Sequence, residues 1–267
     1  MEKIGIVLLN YLNYQDTIEC VDSIRKMDYE IEGIVIVDNH SDNESFAVLH
    51  KKYQDDAKII VVKTGKNYGF AKGNNVGINI ARKRFRAEFI FVANNDILFV
   101  QKEYFDKLLG HYAEGVGVIG SEIQLGDGTI QKRYLTYTSL KESIIIFLYY
   151  FSLVHQNIFL RSLLPEIHRS ACTLHGCALL LTPDFFKYYE GFYKRTFLYC
   201  EEDILYLMCR IYNLQQRYVN GSYIFHKENQ SSQMSFHDEE KIKLVYKLQS
   251  SKYVIWWMIK EKIHSIF

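Results

Sequence analysis

The stretch from Ile4 to Asn10, IGIVLLN, is a continuous apolar run that ends on an asparagine. Runs of this kind are typical of a parallel strand that is buried on both faces. Three later runs have a similar form and are also followed by polar residues. Strands of the same sheet are therefore predicted over residues 31–37, 58–63 and 88–93.

Helical spacing separates these strands. After the first strand, Ile18, Val21 and Ile24 recur at the interval that places side chains on one helix face. Helices are predicted over residues 16–27, 46–53 and 71–84. Alternation of strands and helices predicts an α/β fold, in which a Rossmann-like mixed sheet is flanked by helices and binds its ligand beyond the carboxyl ends of the strands.

The second half of the chain is less regular. Strands are predicted over residues 117–124, 177–181 and 223–226, and helices over residues 139–164, 183–189, 203–212 and 241–267. Residues 1–235 are interpreted as one domain and residues 236–267 as an amphipathic helical C-terminal extension. The G-x-G-x-x-G pattern from Gly115 to Gly120 is not interpreted as a nucleotide site, because no strand precedes it and no helix follows it.

Composition excludes several classes of protein. The 267 residues include 32 basic and 31 acidic side chains, and this balance argues against a dedicated nucleic-acid binder. The five cysteines form no C-x-x-C pair, so we expect reduced thiols rather than disulfides or a zinc site. The chain opens directly into the first strand without a signal-peptide pattern, which favours the cytoplasm. The longest apolar run, Ile144 to Val154, is too short to span a bilayer.

Polar residues follow each strand of the first half. They are Asn10-Tyr11, Asp38-Asn39, Lys66-Asn67 and Asn94-Asn95-Asp96. Because the carboxyl ends of parallel strands meet at one edge, these residues predict a single binding cleft. The Asp38 carboxylate can accept from a nucleotide base or a ribose, although an acid after a strand also caps turns and helices. Asp96 can ligate a hard divalent cation, unless it belongs to a simple asparagine-rich turn.

Seven sequence stretches occur in a recognisable order. They are VLLNYLNYQDTIECVDSI (7–24), IVIVDNHSDN (34–43), GKNYGFAKGNNVGI (65–78), FVANNDILF (91–99), HGCALLLTPDFF (175–186), FLYCEEDILYLMCR (197–210) and YIFHKENQSS (223–232). In this order they resemble family 2 glycosyltransferases, in particular the rhamnosyltransferase-like branch that builds capsule or O-antigen polysaccharide. The resemblance implies a GT-A fold and inverting transfer of a sugar from a UDP- or dTDP-sugar to a saccharide or lipid-linked saccharide. It also implies Mg²⁺ or Mn²⁺ as the cofactor.

The resemblance also implies roles for individual residues. Asp96 and His226 are expected at the metal, with asparagines where many relatives have a first aspartate. Asp203 is expected to be the catalytic base and Glu202 its partner in the family's E-D pair, while a shift of one residue would move the base to Glu201 or Glu202. The nucleotide-sugar donor is expected to contact Asn10, Tyr11, Asp38, Lys66, Asn67, Gly73, Asn95, Asp96 and Gly176.

Two other functions and two roles for the C-terminal helix remain open at this stage. A nucleotidyltransferase would need a glycine-rich signature near the N-terminus, which LLNYLNYQDT lacks, and a non-catalytic GT-A-like scaffold would not need the acids above. Residues 139–164 and 241–267 are rich in large apolar side chains, including Trp256 and Trp257 among lysines. Such a helix lies at a membrane interface, here the inner face of the plasma membrane, or packs on the core or on the second subunit of a homodimer.

Overall fold

A computed structural model describes residues 2–133, 135–136, 139–165, 171–227 and 239–266. The strands are β1 Ile4–Asn10, β2 Gly33–Asp38, β3 Ile59–Lys63, β4 Phe89–Asn94, β5 Ile97–Phe99, β6 Val116–Gln124, β7 Leu135–Thr136, β8 Ala171–Cys172, β9 Ala178–Leu181 and β10 Gln215–His226. The helices are α1 Tyr14–Ile24, α2 Ser45–Tyr53, α3 Gly69–Arg84, α4 Tyr104–Leu109, α5 Leu140–Val154, α6 Ile158–Leu163, α7 Pro183–Phe186, α8 Glu201–Ile211 and α9 Glu239–His264.

Eight strands form one mixed sheet in the order β3-β2-β1-β4-β9-β6-β10-β5, and β7 pairs separately with β8. In the first half β1 pairs in parallel with β2 and β4, which places Asn10 beside Asp38 and Leu9 beside Asn94. The sheet becomes mixed where β9 runs antiparallel to both β4 and β6. The predicted α/β class and the predicted meeting of polar strand ends are confirmed.

Alternate side chains of each buried strand point to opposite faces of the sheet. Both faces are apolar, and helices cover both of them. Ile4, Ile6 and Leu8 of β1 pack with apolar residues of α1, α2 and α4 on one face. Val7 packs on the other face with residues of α3, α8 and α9. Full burial of such a side chain contributes about 1.5–3 kcal/mol relative to its exposure. The central strands are thus held from both sides.

Several boundaries differ from the prediction. The last strand begins at Gln215 rather than at Tyr223, since its polar first half pairs with β6 and a bulge between Val219 and Tyr223 resets the register. The helix predicted to start at Asp203 begins two residues earlier, and α7 ends at Phe186 instead of Tyr189. The short elements β5 and α4 were not predicted, because three to six residues show too little periodicity.

The apolar region predicted as one or two helices is divided into α5 and α6. A capping box of Ser139 and Glu142 begins α5, and the Asn157 side chain caps α6. Serines are buried on both α5 and α9, which are in contact. Along α9 the residues Val254, Trp257 and Met258 are buried in the core, so this helix packs on the domain. Within the described segments, no helix combines the length and the apolar character needed to cross a bilayer.

The backbone conformation at Gly69, the first residue of α3, requires a glycine. Its φ is +73°, and a Cβ at this position would lie 2.0 Å from the carbonyl oxygen of Phe197. Substitution Gly69→Ala is expected to lower the free energy of unfolding by about 2 kcal/mol or more, through the left-handed backbone and the steric overlap. Urea denaturation measures the change. Gly126→Ala is the control, because nothing lies within 4 Å of its Cβ position. Equal stability of the two variants would contradict this account.

Candidate active site

A cavity of about 370 Å³ lies at the carboxyl end of β4. It is lined by Asn94 and by three consecutive acids, Glu201, Glu202 and Asp203. Gly176, His175, His226 and Lys247 also line it, together with the aromatic residues Phe70, Tyr150 and Tyr199. Four residues predicted for the site, Gly176, Glu202, Asp203 and His226, are thus brought together. A larger cavity of about 1040 Å³ contains none of the predicted site residues, so its size does not make it the active site.

The acids occupy the first turn of α8. Tyr199 and Cys200, immediately before them, both have positive φ values, 70° and 65°. Such a backbone costs about 1–2 kcal/mol for each non-glycine residue and is common at functional sites. The turn directs the start of α8 at the cavity, and negative side chains there complement the helix dipole.

Glu202 is anchored by the backbone of Gly176. The Gly176 N–H donates to Glu202 Oε1 at 3.2 Å, and a Cβ at residue 176 would lie only 2.5 Å from that same oxygen. A side chain at this position would therefore displace the carboxylate. Burial raises the pKa of Glu202 above its ordinary value.

Its two neighbours have different surroundings. Burial, with the negative charge of Glu202 as the next cause, raises the pKa of Glu201 to about 8. Its Oε1 has no hydrogen-bond partner in the described part of the chain. Because the pKa of Glu201 is about 8, its protonated form predominates at neutral pH. Asp203 accepts a hydrogen bond from Thr136 Oγ1 at 2.5 Å.

Asp96 and His226 lie side by side at the ends of β4 and β10. His226 Nε2 is 3.2 Å from Asp96 Oδ1, and both side chains are largely buried. The contact lacks hydrogen-bond geometry, and neither Asp96 Oδ1 nor either ring nitrogen of His226 has a hydrogen-bond partner among the described residues. Buried polar atoms without partners are costly, so a ligand that bonds to these atoms would be stabilising.

A carboxylate oxygen and an imidazole nitrogen suit a divalent cation such as Mn²⁺. In the ranges that the structure describes, no three His, Cys, Asp or Glu side chains are grouped to hold a metal. The residues present therefore fit a metal that takes most of its ligands from a bound phosphate and water, as Mg²⁺ commonly does.

Asp38, Asn10 and Asn95 form a buried polar network instead of facing an open pocket. The two Asp38 oxygens accept from Asn10 Nδ2 at 2.8 Å and from the Ser41 N–H at 2.9 Å. Asn95 Nδ2 donates to the Asn13 carbonyl oxygen at 2.9 Å and to Thr17 Oγ1 at 3.1 Å. These bonds join the loops that follow β1, β2 and β4. Donor contacts by these side chains stay predictions, and they would have to exchange with bonds already formed.

Asn67, another predicted donor contact, is bonded to Asn39. Asn39 Nδ2 donates to Asn67 Oδ1 at 3.0 Å, and Asn39 Oδ1 accepts from the Tyr68 N–H at 2.9 Å. A Cβ at Gly73 would lie 2.7 Å from Leu9 Cδ1, so this glycine allows α3 to approach the sheet. Lys66 is exposed and Tyr11 half-buried. Contacts of Lys66 and Tyr11 with the donor stay predictions.

Three residues near the site were not singled out from the sequence. Asn39 belongs to a polar cluster that was recognised, but its bridging role depends on a loop 25 residues or more away. Thr136 lies in a segment without periodic pattern, and so carried no signal. Lys247 reaches the cavity from α9, in the part of the chain interpreted as an extension. That division into two parts stays a prediction.

Glu201 should make stability depend on pH. Its pKa of about 8 in the folded state exceeds the ordinary glutamate value of 4.5, so the protein loses stability as the pH rises from about 4.5 to about 8. Glu201→Gln removes that ionisation. The free energy of unfolding of the variant minus that of wild type is expected to be larger at pH 8.5 than at pH 5. Urea denaturation at both pH values measures this difference. For the exposed control Glu32→Gln the difference should be the same at both pH values. Parallel curves for Glu201→Gln and wild type would contradict the assignment.

GlyG, a glycosyltransferase of Streptococcus pneumoniae serotype 4, is 25% identical over 122 residues, which cover 42% of this chain and 39% of that protein. The low-salt glycan biosynthesis hexosyltransferase Agl10 of Haloferax volcanii is 23% identical over 131 residues, or 48% of this chain and 39% of that protein. The matches thus span about two fifths of the length of each curated relative.

Solved structures share the fold at low identity. A crystal structure of residues 1–349 of TarS from S. aureus has a TM-score of 0.53 and 14% identity, covering 94% of this chain and 72% of that chain. The mannosyltransferase PcManGT from Pyrobaculum calidifontis, solved with GDP-Man and Mn²⁺, has a TM-score of 0.56 and 10% identity, covering 98% and 73%. The predicted GT-A fold is confirmed. Residues 4–170 match the model of glycosyl transferase family 2, and the chain therefore belongs to that family.

Proposed function

We propose that this protein is a metal-dependent, inverting glycosyltransferase. It transfers a hexose from a UDP- or dTDP-sugar, with rhamnose among the candidates, to a saccharide or lipid-linked saccharide during synthesis of cell-surface polysaccharide. One observation carries the proposal: the acids at the start of α8 line the same cavity as His226, whose Nε2 lies 3.2 Å from Asp96 Oδ1. In this proposal the acceptor base and the phosphate-binding centre belong to one site.

Asp203 is the proposed catalytic base. It takes the proton from the acceptor hydroxyl while that oxygen attacks the anomeric carbon, and the bond from this carbon to the donor phosphate breaks on the opposite face. Attack and departure on opposite faces invert the configuration. The Thr136 hydroxyl orients the Asp203 carboxylate. Glu201 is less suited to the role because its pKa of about 8 leaves it protonated at neutral pH, and Glu202 is held by the Gly176 N–H.

Asp96 and His226 are the residues that would hold Mg²⁺ or Mn²⁺. When bound, the cation neutralises charge on the donor diphosphate and stabilises it as a leaving group. PcManGT was solved with Mn²⁺ and GDP-Man, which supports metal use in this fold. Asp96 is positioned through its backbone, whose carbonyl oxygen accepts from the Lys227 N–H at 3.0 Å. Lys227 is in turn bound to Asp16 of α1 at 2.7 Å.

The acceptor would enter beside α9 and α5. Phe70, Tyr150 and Tyr199 line the cavity and give it aromatic surface for a sugar, and Lys247, whose ammonium lies 5.3 Å from the centre of the Tyr199 ring, supplies a positive charge. The five cysteines are free thiols, which favours a reducing compartment. We place the protein in the cytoplasm at the inner face of the plasma membrane, where a lipid-linked acceptor would be reached. A homodimer remains the alternative role of α9.

Nucleotide binding should depend on the metal through Asp96. UDP or dTDP with Mn²⁺ is expected to raise the melting temperature of the wild-type protein, because a ligand of the folded state adds about 2.7 kcal/mol at one hundred times its dissociation constant. In Asp96→Ala the increment that Mn²⁺ adds should disappear. The exposed Asp42→Ala is the matched control and should behave as wild type. No response of the folded wild type to any nucleotide, with or without metal, would point to a non-catalytic scaffold.

Catalysis should depend on Asp203. Asp203→Asn is expected to lower kcat by about 10²–10⁴ while donor binding persists, since a positioned general base contributes about that factor. Thr136→Val should lower kcat less, because it removes only the orienting hydrogen bond. Transfer and donor hydrolysis measured by nucleotide release give both values. If Asp203→Asn stays active and Glu202→Gln or Glu201→Gln is inactive, the base lies one or two residues earlier.

A further inference from the structure

The larger cavity, of about 1040 Å³, lies between the second half of α3 and residues 183–195. We call it the basic pocket. Its lining contains six basic side chains, Arg82, Lys83, Arg86, Lys187, Lys194 and Arg195. All six are exposed, and only two acids, Glu88 and Glu190, line the same pocket. Among the residues that the structure describes, Lys187 alone of the six forms a salt bridge, with Asp184. The pocket thus carries an uncompensated positive charge.

The basic residues from Arg82 to Arg86 lie at the C-terminus of α3, where positive side chains complement the negative end of the helix dipole. That explanation does not account for Lys187, Lys194 and Arg195, which come from a different segment and face the same space. Convergence of two distant basic segments indicates a surface that meets a negatively charged partner.

An exposed apolar line runs along the end of α9. Trp256, Ile259, Ile263 and Ile266 are 45, 43, 53 and 75% exposed. Trp256, Ile259 and Ile263 are three and four residues apart and so lie on one face of α9, while Ile266 follows in the turn after the helix; we call these four residues the apolar stripe. Trp257 and Met258, on the other side, are buried in the core. Lys252, Lys260 and Lys262 accompany the stripe along the same helix.

The basic pocket and the apolar stripe share an edge. Tyr193 lines the pocket, and its ring stacks on Trp256 with centroids 5.8 Å apart. Tyr188 also lines the pocket and stacks on Tyr212 at 4.0 Å, and Tyr212 contacts His264 at 5.3 Å. Aromatic contacts therefore connect the pocket to Trp256 of the stripe and to His264, which follows Ile263 in the chain.

We propose that this combined surface docks on an anionic phospholipid membrane. The basic pocket meets lipid phosphates, and the apolar stripe with Trp256 and Tyr188 lies at the boundary between headgroups and acyl chains. A second copy of the chain is the poorer partner, because a two-fold contact would set the same cations against each other. The inference deepens the proposed function by naming the surface that would bring the cavity to a lipid-linked acceptor. The positive charge of the basic pocket is independent of which sugar donor the active site binds.

Vesicle co-sedimentation tests the proposal with the full chain. Wild-type protein is expected to bind vesicles of phosphatidylcholine mixed with phosphatidylglycerol more tightly than vesicles of phosphatidylcholine alone, and salt should weaken that binding. The triple variant Lys83→Glu, Arg86→Glu and Lys194→Glu should lower partitioning more than about tenfold. The double variant Ile259→Ser and Ile263→Ser should also lower it. A matched triple variant of exposed lysines elsewhere, Lys26→Glu, Lys51→Glu and Lys107→Glu, should bind nearly as wild type.

Four outcomes would overturn the proposal. They are absence of vesicle binding, equal binding to both kinds of vesicle, equal losses in the two triple variants, and a wild-type dimer that the stripe variant dissociates in light scattering. Loss of binding in Ile158→Ser with Phe159→Ser would move the membrane contact to α6, whose side chains there are 70 and 75% exposed. Circular dichroism and the unfolding midpoint confirm that each variant is folded. The nucleotide thermal shift, measured in parallel, reports separately on the proposed function.

Discussion

The parallel register of β1 with β2 and β4 is the constraint on which the rest of the structure depends. It sets Asn10 beside Asp38 and Leu9 beside Asn94, so three strands end at the same edge. A slip of one residue would turn the buried side chains of β1 to the opposite face and separate these polar ends. Asn10 and Asp38 form a buried hydrogen bond of 2.8 Å at this edge, and the bond stabilises the observed register relative to shifted registers.

From that edge the site is assembled in two parts with different character. The part after β1 and β2 is closed, since the Asp38, Asn10 and Asn95 side chains are bonded to one another or to nearby loops. The part around β4, β10 and α8 contains buried polar atoms, on Asp96, His226 and Glu201, that have no hydrogen-bond partner among the described residues. Satisfied networks rigidify a site, whereas unsatisfied buried groups are the ones that a ligand can stabilise on binding. The proposed chemistry is accordingly placed in the second part.

The C-terminal helix α9 joins the candidate active site to the proposed membrane-docking surface. Its first half contributes Lys247 to the candidate active site, and its second half carries the apolar stripe beside the basic pocket. Between them Val254, Trp257 and Met258 anchor the helix to the core, and Glu261 pairs with Arg210 of α8 at 2.7 Å. Since α8 also carries the three acids, membrane docking through α9 would hold the cavity at a defined height above the lipid.

The sequence by itself determined the α/β class, the first four strands and the clustering of polar strand ends, because periodicity and burial are local properties of the chain. Ordered motifs that resemble a known family also predicted a common site for Gly176, Glu202, Asp203 and His226, and these four residues line one cavity. Only the tertiary structure decided that Asp38 and Asn95 are bonded within the protein, that Thr136 contacts Asp203, and that Lys194 and Arg195 face the end of α3. These facts depend on contacts between distant segments, whose geometry is set by packing of the whole sheet and leaves no periodic trace in the residues themselves.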